Sequence, residues 1–112
     1  MNQARNIAVI NEPAIVAAQA SARVNRFLLS QMGSQFCAGE PELDVAGGVW
    51  QVPILLVTPG FVVGPVGEAI VNWQTYEIVS HTDPETMYAT ADKLRKTHHA
   101  AIKTAFLRAR KG

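Results

Sequence analysis

Cysteine is nearly absent from this chain. Cys37 stands alone among 112 residues, so no internal disulfide can form and no second thiol exists to share a metal. A reducing compartment is the simpler setting, and a cytoplasmic location is expected. Aromatic residues are few (7%), and charged residues make up only 17% against 48% apolar ones. That balance excludes a disordered chain, which needs high charge and little hydrophobicity. It points to a core of modest side chains, mostly Ala and Val, in a single domain spanning 1–112. No uninterrupted apolar run is long enough for a membrane span. The greasiest stretch, Val49 to Val71, is broken by Pro53, Pro59, Gly60, Gly64, Pro65 and Gly67, and a spanning helix tolerates no such series of breaks. Ahead of it, Ile7 to Ile10 is too short for the apolar region of a signal peptide, so none is expected.

What is present is an uneven charge distribution. All nine acidic residues lie within positions 1–92, where the net charge is −6; the last twenty residues carry seven basic groups and no acidic one, a net +7. An acidic body therefore bears a basic tail.

Periodicity sets out the elements. Arg5 to Ile10 reads as either a short strand or a helical lead-in. Asn11-Glu12-Pro13 reads as a helix start, with Asn11 as the cap and Pro13 in the first turn. That helix is expected to run to about Met32 and stop at Gly33. Val16, Ala17, Ala20, Val24, Phe27 and Leu28 share its main apolar face, Gln19, Arg23, Arg26 and Ser30 form a narrow polar strip, and Ile15, Ala18, Ala22 and Leu29 make a second apolar flank. Residues 33–48 read as loop. Trp50 to Thr58 alternates as a strand, with Trp50, Val52, Ile54 and Leu56 on one face and Gln51, Pro53, Leu55 and Val57 on the other. Pro53 cannot donate to a ladder, which places this strand at an edge or at a bulge. Phe61 to Val63 returns as a short strand, Gly67 to Trp73 as a stronger one, and Tyr76 to His81 closes the meander around Gln74-Thr75. Asp83-Pro84-Glu85 then starts a helix continuing to about Ala109. Its inner stripe is Met87, Ala91, Leu94, His98, Ile102, Ala105 and Ala109, and Lys93, Lys96, Lys103, Arg108, Arg110 and Lys111 lie on its far side. The expected fold is α+β: an N-terminal helix, a three- to four-stranded antiparallel meander sheet, and a C-terminal amphipathic helix.

The segment Gly67 to Val79 resembles the hairpin of PepSY-type domains, a strand, an Asp, two residues, Thr-Gly-Glu and a second strand. Asn72 stands at the Asp position, Thr75 and Glu77 match, and Tyr76 replaces the Gly. The resemblance implies a small α+β roll with a regulatory, non-enzymatic role, and it carries over no functional residues.

Candidate chemistry is sparse. His98 and His99 are adjacent and point about 100° apart on a helix, so they cannot share a metal; His98 in the apolar stripe reads as a packed histidine. His81 next to Asp83 has the makings of an oriented base, but Ser80, its neighbour on a strand, faces the other way, and a polar residue before a helix cap suffices to explain it. Glu40, Glu42 and Asp44 lack the central Gly and closing Glu of a calcium loop. Gly64 to Gly67 is interrupted by Pro65 and followed by no Lys-Ser or Lys-Thr, so it reads as a turn. Cys37 has no neighbouring cation to activate it. No catalytic residue, cofactor or metal is expected.

Partner-binding candidates are Trp50, Trp73 and Tyr76 on the sheet, and Lys96, Lys103, Arg108 and Arg110 on the basic helix. Trp50 and Trp73 read best as core or interface anchors, with core ahead of a ligand platform, and the basic face reads equally well as a solvated one. The surplus of apolar surface on the first helix and the strands leads to a homodimeric interaction module. Two alternatives stay open: a small-molecule binder or modest enzyme with a pocket between sheet and helices, and an antitoxin-like, nucleic-acid-linked regulator using the basic helix. An acidic protein partner is a further possibility. The acidic body disfavours nucleic acid.

Overall fold

The computed structural model describes residues 2–111, and the side chains of residues 16–110. Helix α1 spans Asn2–Gln31. It therefore runs through Asn11-Glu12-Pro13 rather than starting there, and the helical reading of residues 5–10 holds over the strand. Proline at position 13 still offers no N–H, so the carbonyl one turn earlier goes without its usual donor. The far end stops as expected: Gly33 takes φ +95° and its N–H donates to the Leu28 carbonyl at 3.0 Å, a left-handed position that glycine fills at no steric cost.

Five antiparallel strands follow: β1 (Phe36–Ala38), β2 (Glu42–Asp44), β3 (Val49–Thr58), β4 (Phe61–Asn72) and β5 (Ile78–His81). The sheet order is β1-β3-β4-β5, with β2 also paired to β3. Two of these strands lie in the segment expected to be loop. At three residues each, they are too short to show a period, and they exist because β3 offers them a partner.

Pro53 is neither on an edge strand nor at a bulge. β3 is paired on both sides, to β4 throughout and to β1 and β2 along its other edge. The Pro53 carbonyl accepts from Gly39 N–H at 2.7 Å, so its nitrogen faces the same side, where β1 has ended and β2 has not begun. With no proline N–H to bind, the Gly39 carbonyl takes the Ser21 hydroxyl instead, at 3.4 Å. Nearby, Asn25 Oδ1 accepts the outward Ala38 N–H at 2.8 Å. Thus α1 side chains cover the outer edge of β1. Chain approach is tight here: a Cβ on Gly39 would lie 2.8 Å from Pro53 Cγ.

The segment from Phe61 to Asn72 is one strand rather than two. Its register slips past Val66 and again past Val63, so Gly64 and Pro65 are absorbed by two bulges without ending the pairing. The first bulge turns Val66 inward, where it is buried. A third slip, at Val79, kinks β5.

Both α1 and α2 (Pro84–Thr97) pack on one side of the sheet. Ala20, Val24 and Leu28 of α1, Trp50, Val52, Ile54 and Leu56 of β3, Ala69 and Val71 of β4, and Met87 and Ala91 of α2 form the buried core. The expected main face of α1 and inner face of β3 are the ones buried. Asp83 caps α2, its carboxylate accepting Glu85 N–H at 3.2 Å, with Pro84 at the first position.

The closing helix is two helices. His98 leaves helical geometry (φ −107°, ψ 23°) while its N–H still reaches the Leu94 carbonyl. Helix α3 then spans His99–Lys111. The break lets α2 follow β4 while α3 lies against the end of β3. Met87 and Ala91 of the expected stripe are buried, Leu94, His98, Ile102 and Ala105 half-buried, and Ala109 exposed. Among the described residues, no helix is long and apolar enough to cross a membrane.

Candidate interaction surface

With both helices on one side, the other side of the sheet lies open. Side chains alternate along each strand, so the cross-strand pairs identify this outer face. Cys37, Leu55 and Pro65 form one row; Val57 and Val62 another; Glu42, Gln51, Ile70 and Ser80 a third; Pro53 and Glu68 a fourth. Cys37, Pro53, Leu55, Val57 and Ile70 are half-buried, and Val62 is 53% exposed. Helix α3 reaches this face only at its Thr58 end, where Ile102 and Phe106 border Val57. The apolar surface is contiguous along β3 and rimmed by carboxylates: Glu40, Glu42 and Glu68, with Gln51 and Pro53, line one shallow concavity of about 170 Å³.

The partner-binding candidates do not converge. Trp50 is 7% exposed and belongs to the core; it sits on the inner face of β3, which corrects its placement on a partner surface. Trp73 is 43% exposed just past the end of β4, its backbone N–H donating to the Gly48 carbonyl at 3.1 Å. Tyr76 is half-buried against the core and takes φ +61°, a left-handed conformation that costs a non-glycine residue on the order of 1 kcal/mol. The turn around it is held by Asn72, whose Oδ1 accepts the N–H groups of Gln74 (2.8 Å) and Thr75 (3.0 Å), while the Asn72 carbonyl accepts Tyr76 N–H at 2.9 Å. Local hydrogen bonds thus impose the positive φ that tyrosine does not favour.

Lys96, Lys103, Arg108 and Arg110 are exposed on α2 and α3. Helix α3 borders the Phe61 end of β4: Pro59, Gly60 and Phe61 face Ala105, Arg108 and Ala109 across a concavity of about 450 Å³. Trp73 and Tyr76 lie at the other end of that strand, about 35 Å away at ~3.3 Å per residue. The aromatic and basic candidates are two regions, not one site.

The chemical candidates are equally dispersed. His81 Nδ1 lies 2.9 Å from the Thr82 carbonyl, and its ring rests on Phe27 with centroids 4.7 Å apart. Ser80 is on the outer face and His81 on the inner one, opposite Ala69. His98 ends α2, and Cys37 lies beside Leu55 on the outer face. Among the described residues, no three His, Cys, Asp or Glu side chains are grouped to hold a metal ion.

Comparison with family models, with curated proteins and with solved structures finds no match. The surface must speak for itself. In the sequence, Leu55 and Val57 fall on the second face of their strand, whereas Glu40 and Glu42 read as solvated loop charge. Apolar residues in both phases of Trp50 to Thr58 were the available signal for an open greasy face. Nothing local linked Glu42 to Glu68, which β2 and β4 bring to either side of β3.

Proposed function

We propose that this protein is a small interaction module that works as a homodimer, with the outer face of its sheet as the binding surface. The observation that carries this reading is the one-sided packing of the sheet: α1 and α2 share one face, while Leu55, Val62 and Ile70 line the other, which α3 reaches only at Val57. Contiguous apolar surface of this kind marks association sites on soluble proteins. The exposed flank of α1, with Ala18, Ala22 and Leu29 (63% exposed), adds to the surplus. Between sheet and helices the volume is occupied by Leu28, Ile54 and Met87, all fully buried, which favours an interaction role over a ligand cavity there. The exposed Lys103, Arg108 and Arg110 favour nucleic-acid binding as a second reading. Glu40, Glu42 and Glu68 stand against it, since they would repel a phosphate backbone brought near them.

Size-exclusion chromatography with light scattering tests the proposal. A particle of two chains at micromolar concentration is expected. A particle of one chain overturns it.

A further inference from the structure

We infer that the second copy covers the outer sheet face with its α3, and that two protomers exchange these helices reciprocally. The inference rests on the homodimer reading and names the parts that meet. On α3, Lys103, Phe106, Leu107 and Arg110 recur at i, i+3, i+4 and i+7, one stripe of a helix. Ile102 and Ala105 are half-buried, and Phe106, one turn on from Ile102, borders Leu56, Val57 and Val63 with it, so Lys103, Leu107 and Arg110 are the part of the stripe turned away from the sheet. Phe106 is 50% and Leu107 48% exposed. The stripe thus presents Leu107, flanked by the exposed half of Phe106, between two cations.

The outer face presents the complementary pattern. Pro53 and Ile70 form an apolar patch, with Glu42 on β2 and Glu68 on β4 to either side and Glu40 beside them. The spacing also agrees. Lys103 and Arg110 are about 10 Å apart along the helix axis. Glu42 and Glu68 lie two strands apart and two residues out of line, about 12 Å. Laid diagonally across β3 between Gln51 and Pro53, α3 sets Leu107 on Pro53 and Ile70, and its cations beside the carboxylates.

The same protomer cannot make this contact. Its own α3 is tied to the Thr58 end of β3, and Glu42 pairs with Gln51, seven residues back, about 23 Å away. Among the described residues the one ion pair is Arg95–Asp92 at 3.2 Å, so neither set of charges is already matched.

The test is a charge-reversal pair read by light scattering. One variant carries Lys103→Glu and Arg110→Glu, the other Glu42→Lys and Glu68→Lys. All four positions are exposed, and circular dichroism checks that each variant keeps the wild-type spectrum. Each alone is expected to dissociate at least tenfold more readily than wild type. Mixed one to one, they are expected to pair again, because both reciprocal contacts then join opposite charges. Raising salt from 50 to 500 mM is expected to weaken the wild-type pair severalfold, a measurement that needs no variant. Variants that stay dimeric alone, a mixture that stays monomeric, or a salt-insensitive wild-type dimer overturns the exchange while leaving the homodimer in place. A wild-type monomer overturns both. A mass that grows past two chains with concentration overturns the closed pair.

Discussion

Ile54 and Leu55 are neighbours on one strand and offer a direct measurement of the difference between the two faces of the sheet. Ile54 is fully buried between the sheet and the helices. Truncating it to alanine removes three methyl or methylene carbons from a packed interior, and comparable core truncations cost about 2–5 kcal/mol. Against a total stability of about 6–17 kcal/mol for a chain of this size, that is a large loss at any protein concentration. Leu55 points the other way, half-buried by neighbours such as Gly39 and Pro65. Half of the burial value of a leucine is about 1 kcal/mol, and Leu55→Ala is expected to cost that much in the isolated protomer. If a second copy covers the face, the cost grows once the pair forms. Urea unfolding at 1 and 100 µM separates the two cases. Wild-type stability is expected to rise with concentration by up to about 2.7 kcal/mol, the mass-action value for a hundredfold change. Leu55→Ala is expected to lose much of that rise, and Ile54→Ala to keep it. Equal losses for the two variants at a concentration where light scattering finds single chains would refute the one-sided sheet, because they would mean that the outer face is as well packed as the inner one.

Two further expectations concern the hairpin and its contact with α2. Asn72→Ala removes the acceptor for two turn N–H groups and is expected to cost about 1–2 kcal/mol in urea unfolding, whereas Asn72→Asp keeps the acceptor and should stay close to wild type; equal stability of all three would show that the turn holds without it. Gly67→Ala would set a Cβ 2.7 Å from the Thr82 side chain and 3.0 Å from Met87 Cγ, an overpacking expected to lower stability by about 1–3 kcal/mol; a neutral effect on the unfolding midpoint would contradict that close approach.

The long-period features of this fold could be read directly. The α1 face from Val16 to Leu28, the alternation of β3 and the Asp83-Pro84 helix start are set by patterns of several residues, and burial follows them. What escaped were features decided at a distance. β1 and β2 are three residues each and depend on β3 for their existence. Pro53 was tolerated inside the sheet because the neighbouring strand pauses opposite it, which its own surroundings do not announce. Gly64-Pro65 looked like a chain break because bulges carry no local signature of their own. The interruption at His98 contains no glycine or proline and shows only in the different strands that α2 and α3 touch. On the surface, the exposed cations of α3 were identified individually, but their separation from Trp73 and Tyr76 along β4 needed the topology.

The clasp of Ser21 and Asn25 on β1 bears on how this protein avoids runaway polymerisation. A cross-β filament grows only if each added unit offers a fresh template at both margins. Here one margin is sealed by helix side chains along β1 and continues as β2, a three-residue strand bearing Glu42 and Asp44, both recognised deterrents to strand addition. Only the β5 margin could template a neighbour, and joining two such margins uses both up. Strand-to-strand growth would end at a pair, so a chain this rich in valine and isoleucine can keep a greasy sheet face in service without seeding fibres.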